Sequence, residues 1–393
     1  MGRISERLAS IAESATMAIS TRAAEMRAAG EDVISFSAGE PDFPTPEHIV
    51  AAAATAASDP KNHHYTAAAG LPELREAVAA NALQYSGVEV APSQVVITNG
   101  GKQAVYAAMA ALLDPGDEAL LPTPYWVTYP EVVRIMGATG VDVPTTIDDG
   151  FKVTPEQLER YRTDATKLLL FVSPSNPTGA VYSADEVAAI GRWAAEHDVW
   201  VLTDEIYQRL VYGDADFVSL PGTVPELDDR WVIVNGVAKS YAMTGWRVGW
   251  LIGPPDVAQA AIRLQSHLTS NVANVTQRAA LAALTGSQEV VEEMRQAFDR
   301  RRRKMVEIFA SIEGAECLEP QGAFYVFPDL SAYLGERFAS TLDLARWVLE
   351  EQGVAFVPGE AFGAPGYARF SYALSDDDLE RGMERVAKAL NSI

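Results

Sequence analysis

Between residues 91 and 253 the apolar positions gather into short β-branched runs separated by stretches with apolar residues at helical spacing. The runs are Val95 to Thr98, Glu118 to Leu121, Val141 to Val143, Leu168 to Val172, Val199 to Thr203, Trp231 to Val234 and Val248 to Ile252. Bounded by polar or turn residues, they read as strands buried on both faces. The Ala-rich stretch Lys102 to Leu113, and Ala184 to His197 behind a Ser183 N-cap, read as intervening helices. Strands separated by helices predict an α/β fold around a mostly parallel, seven-stranded sheet covered by helices, with ligands beyond the carboxyl ends of the strands.

Past this region the pattern changes. Ser287 to Ile312 has the spacing of one long helix, and its basic run Arg300-Arg301-Arg302-Arg303-Lys304 reads as a solvated face. Beyond it, Glu316 to Ile393 reads as a smaller α+β unit completed by the N-terminal segment. The expected division is residues 1–45 joining the small domain, 46–290 forming the large domain and 291–393 forming the small one. No repeat, low-complexity tract or Gly/Ser linker interrupts the chain.

The 393-residue length allows two or three folding units with an ample core. Charge narrows the partners: 31 Lys+Arg against 53 Asp+Glu give a net charge of −22, which opposes nucleic acid and anionic lipid as partners. A local cationic pocket for a small anion remains compatible with that figure. Cys317 is the only cysteine, so no intrachain disulfide or multi-cysteine metal site can form, and a reducing cytoplasm is expected. No apolar run approaches the roughly 20 residues of a membrane span, and the N-terminal residues lack the continuous apolar core of a signal peptide. His48, His63, His64, His197 and His267 form no metal-ligand pattern, so no metal is expected, and His63-His64 reads as loop.

Two nucleotide-binding signals fail on inspection. Val199 to Glu205 has the look of a Walker B strand, and Gly100-Gly101-Lys102 that of half a P-loop. The P-loop also needs a glycine where Val96 stands and a Ser or Thr where Gln103 stands. No Gly-x-Gly-x-x-Gly follows a strand either. What survives is a strand, a diglycine turn and a helix N-terminus able to cradle a phosphate.

The more specific string runs from Gly236 to Gly249, with Lys239 just past a buried strand and Arg247 eight positions on. It closely resembles the lysine signature of the class I, fold-type I aminotransferases that depend on pyridoxal 5′-phosphate. Ser37 to Phe43, Tyr65 ahead of Gly70 to Arg75, Pro124-Tyr125-Trp126, Ser175 to Gly179, Asp204 to Tyr207 and Arg369-Phe370-Ser371 are similar to that family's other blocks, in the same order. The resemblance spans nearly the whole chain. It is strongest to bacterial aspartate aminotransferases of the subgroup that includes prephenate-active members.

The resemblance implies a set of roles. Lys239 would form the Schiff base with the cofactor and carry the substrate's α-proton, and Asp204 would keep the pyridine nitrogen protonated. Tyr207 and Asn176 would hydrogen-bond the ring oxygen, and Trp126 would stack on the ring. Gly101, Lys102, Gln103 and Arg247 would hold the phosphate, joined by Tyr65 from a neighbouring subunit, which implies a homodimer with shared active sites. Arg369 and Gly39 would receive the substrate α-carboxylate, and Lys102, with Ser14 and Thr16 closing over it, a second carboxylate.

Two positions depart from the pattern. Gly236 stands where many relatives have a serine, and Ala12-Glu13 stand where relatives often have a basic residue and proline. The implied reaction is ping-pong transfer of the amino group from L-aspartate to 2-oxoglutarate. Prephenate or aromatic substrates, β-elimination on the same cofactor, and a non-catalytic regulatory protein that binds it are the alternatives.

Overall fold

The computed structural model describes residues 3–9, 11 and 15–393, with the backbone alone at 6, 7 and 15–18. Twelve strands follow in chain order: β1 (Ile34–Ser35), β2 (Val95–Thr98), β3 (Glu118–Thr123), β4 (Thr139–Pro144), β5 (Thr166–Val172), β6 (Trp200–Asp204), β7 (Trp231–Gly236), β8 (Gly249–Ile252), β9 (Tyr325–Val326), β10 (Val354–Ala355), β11 (Val357–Pro358) and β12 (Ala368–Ser371).

All seven apolar runs become strands of one sheet, in the order β2-β8-β7-β6-β5-β3-β4. Six of these strands run in one direction, and β8 alone is reversed, antiparallel to both its neighbours β7 and β2. The reversal follows from the connection: residues 237–248 contain a short 3-10 turn (Thr244–Trp246) and no crossover helix, so the chain must turn straight back. That connection carries Lys239.

The period-two alternation of side chains divides the strands between two cores. Val95, Ile97, Leu169, Phe171 and Val201 face one, where they meet Ile49, Leu74, Val78, Val187 and Ile190 of covering helices. Val96, Leu168, Leu170 and Leu202 face the other, against Ala104, Val105 and Ala108 of the Gly101–Leu112 helix and Ala258 and Ala261 of the Pro255–Leu268 helix. Helix boundaries agree with local chemistry: Ser183 accepts from the Glu186 N–H to open Ala184–Glu196, the capping arrangement its sequence predicts.

A separate apolar cluster joins Ile19, Ala23, Met26 and Ile34 to Phe298, Phe309, Leu344, Val348, Phe370 and Met383. Here β1 lies parallel to β10, and β12 sits between β11 and β9 in an antiparallel sheet.

The basic run departs from the solvated face its sequence suggests. In the Glu289–Ala310 helix, Arg301 and Arg302 are only 8% and 4% exposed, while Arg303 and Lys304 face solvent. A helix turns 100° per residue, so a five-residue run must cross the inner face, here between Phe298 and Met305. The buried cations are paired: Arg301 bonds Asp42 at 2.9 Å and Asp376 at 2.6 Å, and Arg302 bonds Asp299 at 2.7 Å and Glu319 at 2.5 Å. Arg301 thereby ties the segment after Gly39 to the last helix.

Candidate active site

Sheet register brings the sequence motifs to one edge. Thr98 of β2 pairs with Gly249, Val172 of β5 with Asp204, and Asp204 with Val234 of β7, so the segments following β2, β5, β6 and β7 leave the sheet together. These segments hold Gly101, Asn176, Tyr207 and Lys239. β12 delivers Arg369 from the opposite side. Between them lies a cavity of about 450 Å³, lined among others by Gly39, Lys102, Trp126, Asp204, Lys239 and Arg369.

Lys239 sits at its centre. Its Nζ donates to the Gly39 carbonyl and stands 5.9 Å from the centroid of the Tyr207 ring. Burial first, and the Arg369 cation second, push its pKa down to about 8, against the pull of Glu40 and Asp204. About a tenth of this amine is therefore neutral, and nucleophilic, at pH 7, far more than for a lysine in water.

Asp204 is buried. Its Oδ2 accepts from the Tyr129 hydroxyl at 2.7 Å and its Oδ1 from the Ile206 N–H at 3.1 Å. Burial raises its pKa, while these two donors and the Lys239 ammonium oppose the rise. A protonated ring nitrogen beside Asp204 would supply the counter-charge that burial leaves short.

A further wall of the cavity is built on Arg369, 4% exposed. One terminal nitrogen donates to Asn176 Oδ1 at 2.9 Å and the other to the Ser37 carbonyl at 3.0 Å. Its Nε is buried and has no partner among the described residues. A buried guanidinium with a spare donor is suited to an incoming carboxylate.

Another wall of the cavity is a helix N-terminus. Gly100 has φ +83°, and a Cβ there would stand 2.6 Å from an Arg247 terminal nitrogen, so only glycine lets the guanidinium close over the turn. The N–H groups of Gly101 and Lys102 open the Gly101–Leu112 helix without intrahelical acceptors. Lys102 has a lowered pKa, through desolvation and then the Arg247 charge, and its Nζ lies 4.9 Å from the Trp126 ring centroid. One cavity thus gathers a helix N-terminus beside a guanidinium, a buried amine, a buried carboxyl group and a buried arginine.

Three sequence expectations fall elsewhere. Gln103 does not line the cavity: its Oε1 accepts from the Asn99 N–H, its Nε2 donates to Thr269, and its own N–H bonds the Gly100 carbonyl, so it braces the turn from behind. Tyr65 is 90% exposed and does not line this chain's cavity. Ser14 and the side chain of Thr16 lie outside the described residues, although Ser20 of the Ala15–Ala28 helix borders the cavity.

Gly236 has a steric explanation. A Cβ there would come within 2.9 Å of the Gly249 Cα and the Val248 carbonyl, so the β7–β8 pair leaves no room for a side chain.

Tyr129, Tyr325 and Phe362 also line the cavity and were not anticipated. Tyr129 lies three residues past Trp126, as the second residue of the Thr128–Met136 helix, and its edge-on contact with the Trp126 ring is not written in the sequence. Tyr325 sits in the aromatic run Phe324 to Phe327, which reads as core and gives no hint of the site.

The model of the family described as aminotransferase class I and II matches residues 31–386, and the chain belongs to that family. It is an aminotransferase, and its cofactor is pyridoxal 5′-phosphate. Among similar proteins, an aspartate aminotransferase of Streptomyces avermitilis is 59% identical over 99% of this chain and 97% of its own. An aspartate/prephenate aminotransferase of Cereibacter sphaeroides is 44% identical over 98% of each chain. The solved aspartate aminotransferase of Thermus thermophilus with maleate superposes with a TM-score of 0.94 at 41% identity, covering 99% of this chain and 100% of that one. Among the described residues no helix is long and apolar enough to cross a membrane.

Proposed function

We propose that this aminotransferase moves the amino group of L-aspartate to 2-oxoglutarate, giving oxaloacetate and L-glutamate in two half-reactions. The observation that carries this reading is a single cavity lined by two cations, Arg369 and Lys102. That pair suits a substrate with two carboxylates. The names of the relatives and the maleate of the Thermus structure point the same way.

When bound, the cofactor supplies an aldehyde that captures amines and a ring that accepts electrons. Lys239 provides the amine that holds that aldehyde and, once displaced by substrate, a base for the α-proton. Asp204 fixes a positive charge on the ring nitrogen, and Tyr207 and Asn176 address the ring oxygen. The Gly101 and Lys102 N–H groups and Arg247 hold the phosphate, with Gln103 bracing their turn. Arg369, Asn176 and Gly39 orient the α-carboxylate beside Lys239, and Trp126 walls one face. Thr16 completes the proposed set at the distal carboxylate.

The working unit we propose is a homodimer in which Tyr65 reaches the partner's phosphate, a reading supported by the 90% exposure of so large a side chain. The proposed domain limits at residues 46 and 290 agree with the separate apolar cluster that unites both chain ends. A cytoplasmic location is supported by the lone cysteine.

The deciding experiment follows the visible absorption band of the cofactor-loaded protein. Aspartate should bleach it, 2-oxoglutarate should restore it, and Lys239→Ala should lack it. Pyruvate and ammonia released from a β-substituted amino acid without any keto acid would instead indicate elimination. The Cereibacter relative gives a reason to repeat the restoring step with prephenate.

A further inference from the structure

Tyr325 belongs to β9 and Tyr207 to the segment after β6, yet their hydroxyl oxygens stand 2.9 Å apart, both residues buried. The Arg369 guanidinium lies over the Tyr325 ring, 4.4 Å from its centroid. The same hydroxyl sits 3.4 Å from where a Cβ on Gly39 would be. One side chain thus touches the residue proposed for the ring oxygen, the residue proposed for the substrate carboxylate, and the backbone that receives Lys239.

Hydrogen-bond logic sets the direction of that contact. A tyrosine hydroxyl has one proton to donate. If Tyr207 gives its proton to the ring oxygen, its own oxygen is left as acceptor, and Tyr325 must be the donor. The proton order is then Tyr325 to Tyr207 to cofactor. Burial pushes both hydroxyls above their ordinary pKa, so both keep their protons. The charged groups that act on Tyr207 are Arg369 and Asp204, with Lys239 5.9 Å from its ring.

We propose that Tyr325 is a positioning residue: it holds the Tyr207 hydroxyl in the donor orientation toward the cofactor's ring oxygen, and through its ring it makes that orientation sensitive to a carboxylate on Arg369. The proposal rests on the roles given above to Tyr207 and Arg369. A donor to an anionic ring oxygen favours the deprotonated chromophore, so weakening it raises the pH midpoint of the visible band.

The test titrates the visible band of cofactor-loaded protein against pH, with and without saturating maleate, in wild type, Tyr325→Phe, Tyr207→Phe and the double variant. Phenylalanine keeps the ring and its packing, and a thermal melt confirms that each variant is folded. Tyr325→Phe should raise the midpoint by about half to one pH unit, the size of one lost hydrogen bond. It should also reduce the change that maleate produces in that midpoint. Because Tyr325 acts through Tyr207, the double variant should match Tyr207→Phe alone.

A midpoint unchanged in Tyr325→Phe but moved in Tyr207→Phe overturns the proposal and leaves the reading of Tyr207 standing. Additive shifts in the double variant also overturn it. A visible band that persists in Lys239→Ala would instead overturn the reading of the site on which it rests.

Discussion

At the end of β6 two acidic residues stand back to back. Asp204 lines the cavity, while Glu205 turns away and accepts from Ser86 at 2.7 Å and Ser219 at 2.6 Å. Burial pushes the Glu205 pKa from 4.5 up to about 7, despite both donors. A carboxyl raised on folding contributes stability below its unfolded pKa that is lost as pH climbs through the folded value. Wild type should therefore lose about 3 kcal/mol from this group between pH 4.5 and 7. Glu205→Gln keeps a partner for each serine and removes the titration, so denaturant melts should show the variant more stable at pH 8 and nearly equal to wild type at pH 4.5.

Lys239 titrates in the opposite sense. Its amine, lowered from 10.5 to about 8, costs stability at and below pH 8, and the cost fades toward pH 10.5. In cofactor-free protein, Lys239→Met should melt higher than wild type at pH 7, by about 2 kcal/mol or less, since the Gly39 carbonyl loses its donor. An advantage that survives at pH 10.5 would refute the charge explanation. Lys239, Asp204 and Arg369 were legible in the sequence because each stands in a string that resembles the family's blocks, Lys239 and Asp204 also following an apolar strand. Tyr129 and Tyr325 were not, because a tyrosine among apolar residues looks like core until its hydroxyl is seen to have a partner.

At the scale of elements, the helix proposed to cradle the phosphate, Gly101–Leu112, starts where β8 passes closest to it. A Cβ on Gly249 would lie 2.5 Å from the Gly101 nitrogen and 2.6 Å from the Gly100 carbonyl carbon. Gly249→Ala must push back the first turn of the Gly101–Leu112 helix, an overpacking that costs about 1–3 kcal/mol. Titration of cofactor-free protein with pyridoxal 5′-phosphate should show affinity lowered tenfold or more, with the fold retained by circular dichroism. Strand positions were readable because burial on both faces writes apolar runs directly into the chain. The reversal of β8 was not, since strand direction resides in the connection rather than in the strand. The basic run misled for a related reason: charge alone does not say which positions a helix turns inward, and Asp42, Asp299, Glu319 and Asp376, which settle the matter for Arg301 and Arg302, lie partly in distant segments.

For the whole molecule, the segment bearing Tyr65 is firmly held. Asn274 donates to the Asn62 and His64 carbonyls and accepts from Thr66, and Gln265 donates to the Ala68 carbonyl. So exposed an aromatic on so braced a segment is what a shared site needs from each partner. Mixing Lys239→Ala with Tyr65→Ala subunits, each poorly active alone, should restore up to about a quarter of wild-type activity, since half of randomly paired dimers are mixed and each carries one intact site. Recovery no greater than the sum of the two parents would exclude the exchange of Tyr65.

The pairing of β1 with β10 sets a calendar for the molecule as it is made. Ile34 lies against Val354, the Ser371 N–H donates to the Phe36 carbonyl, and Arg369 reaches the Ser37 carbonyl. A ribosome therefore releases Ser37 to Glu40 early; Lys239 and Thr244 offer Gly39 and Glu40 partners midway, but the strands on which β1 and Ser37 are laid, β10 and β12, come more than 300 residues later. The sheet, Asp204 and Lys239 emerge long before that moment, and domains fold as they are delivered. The nascent protein thus has Asp204 and Lys239 in hand while Arg369 still waits, and it is the later β10 and β12 that fix the much earlier residues 34–37 beside the site.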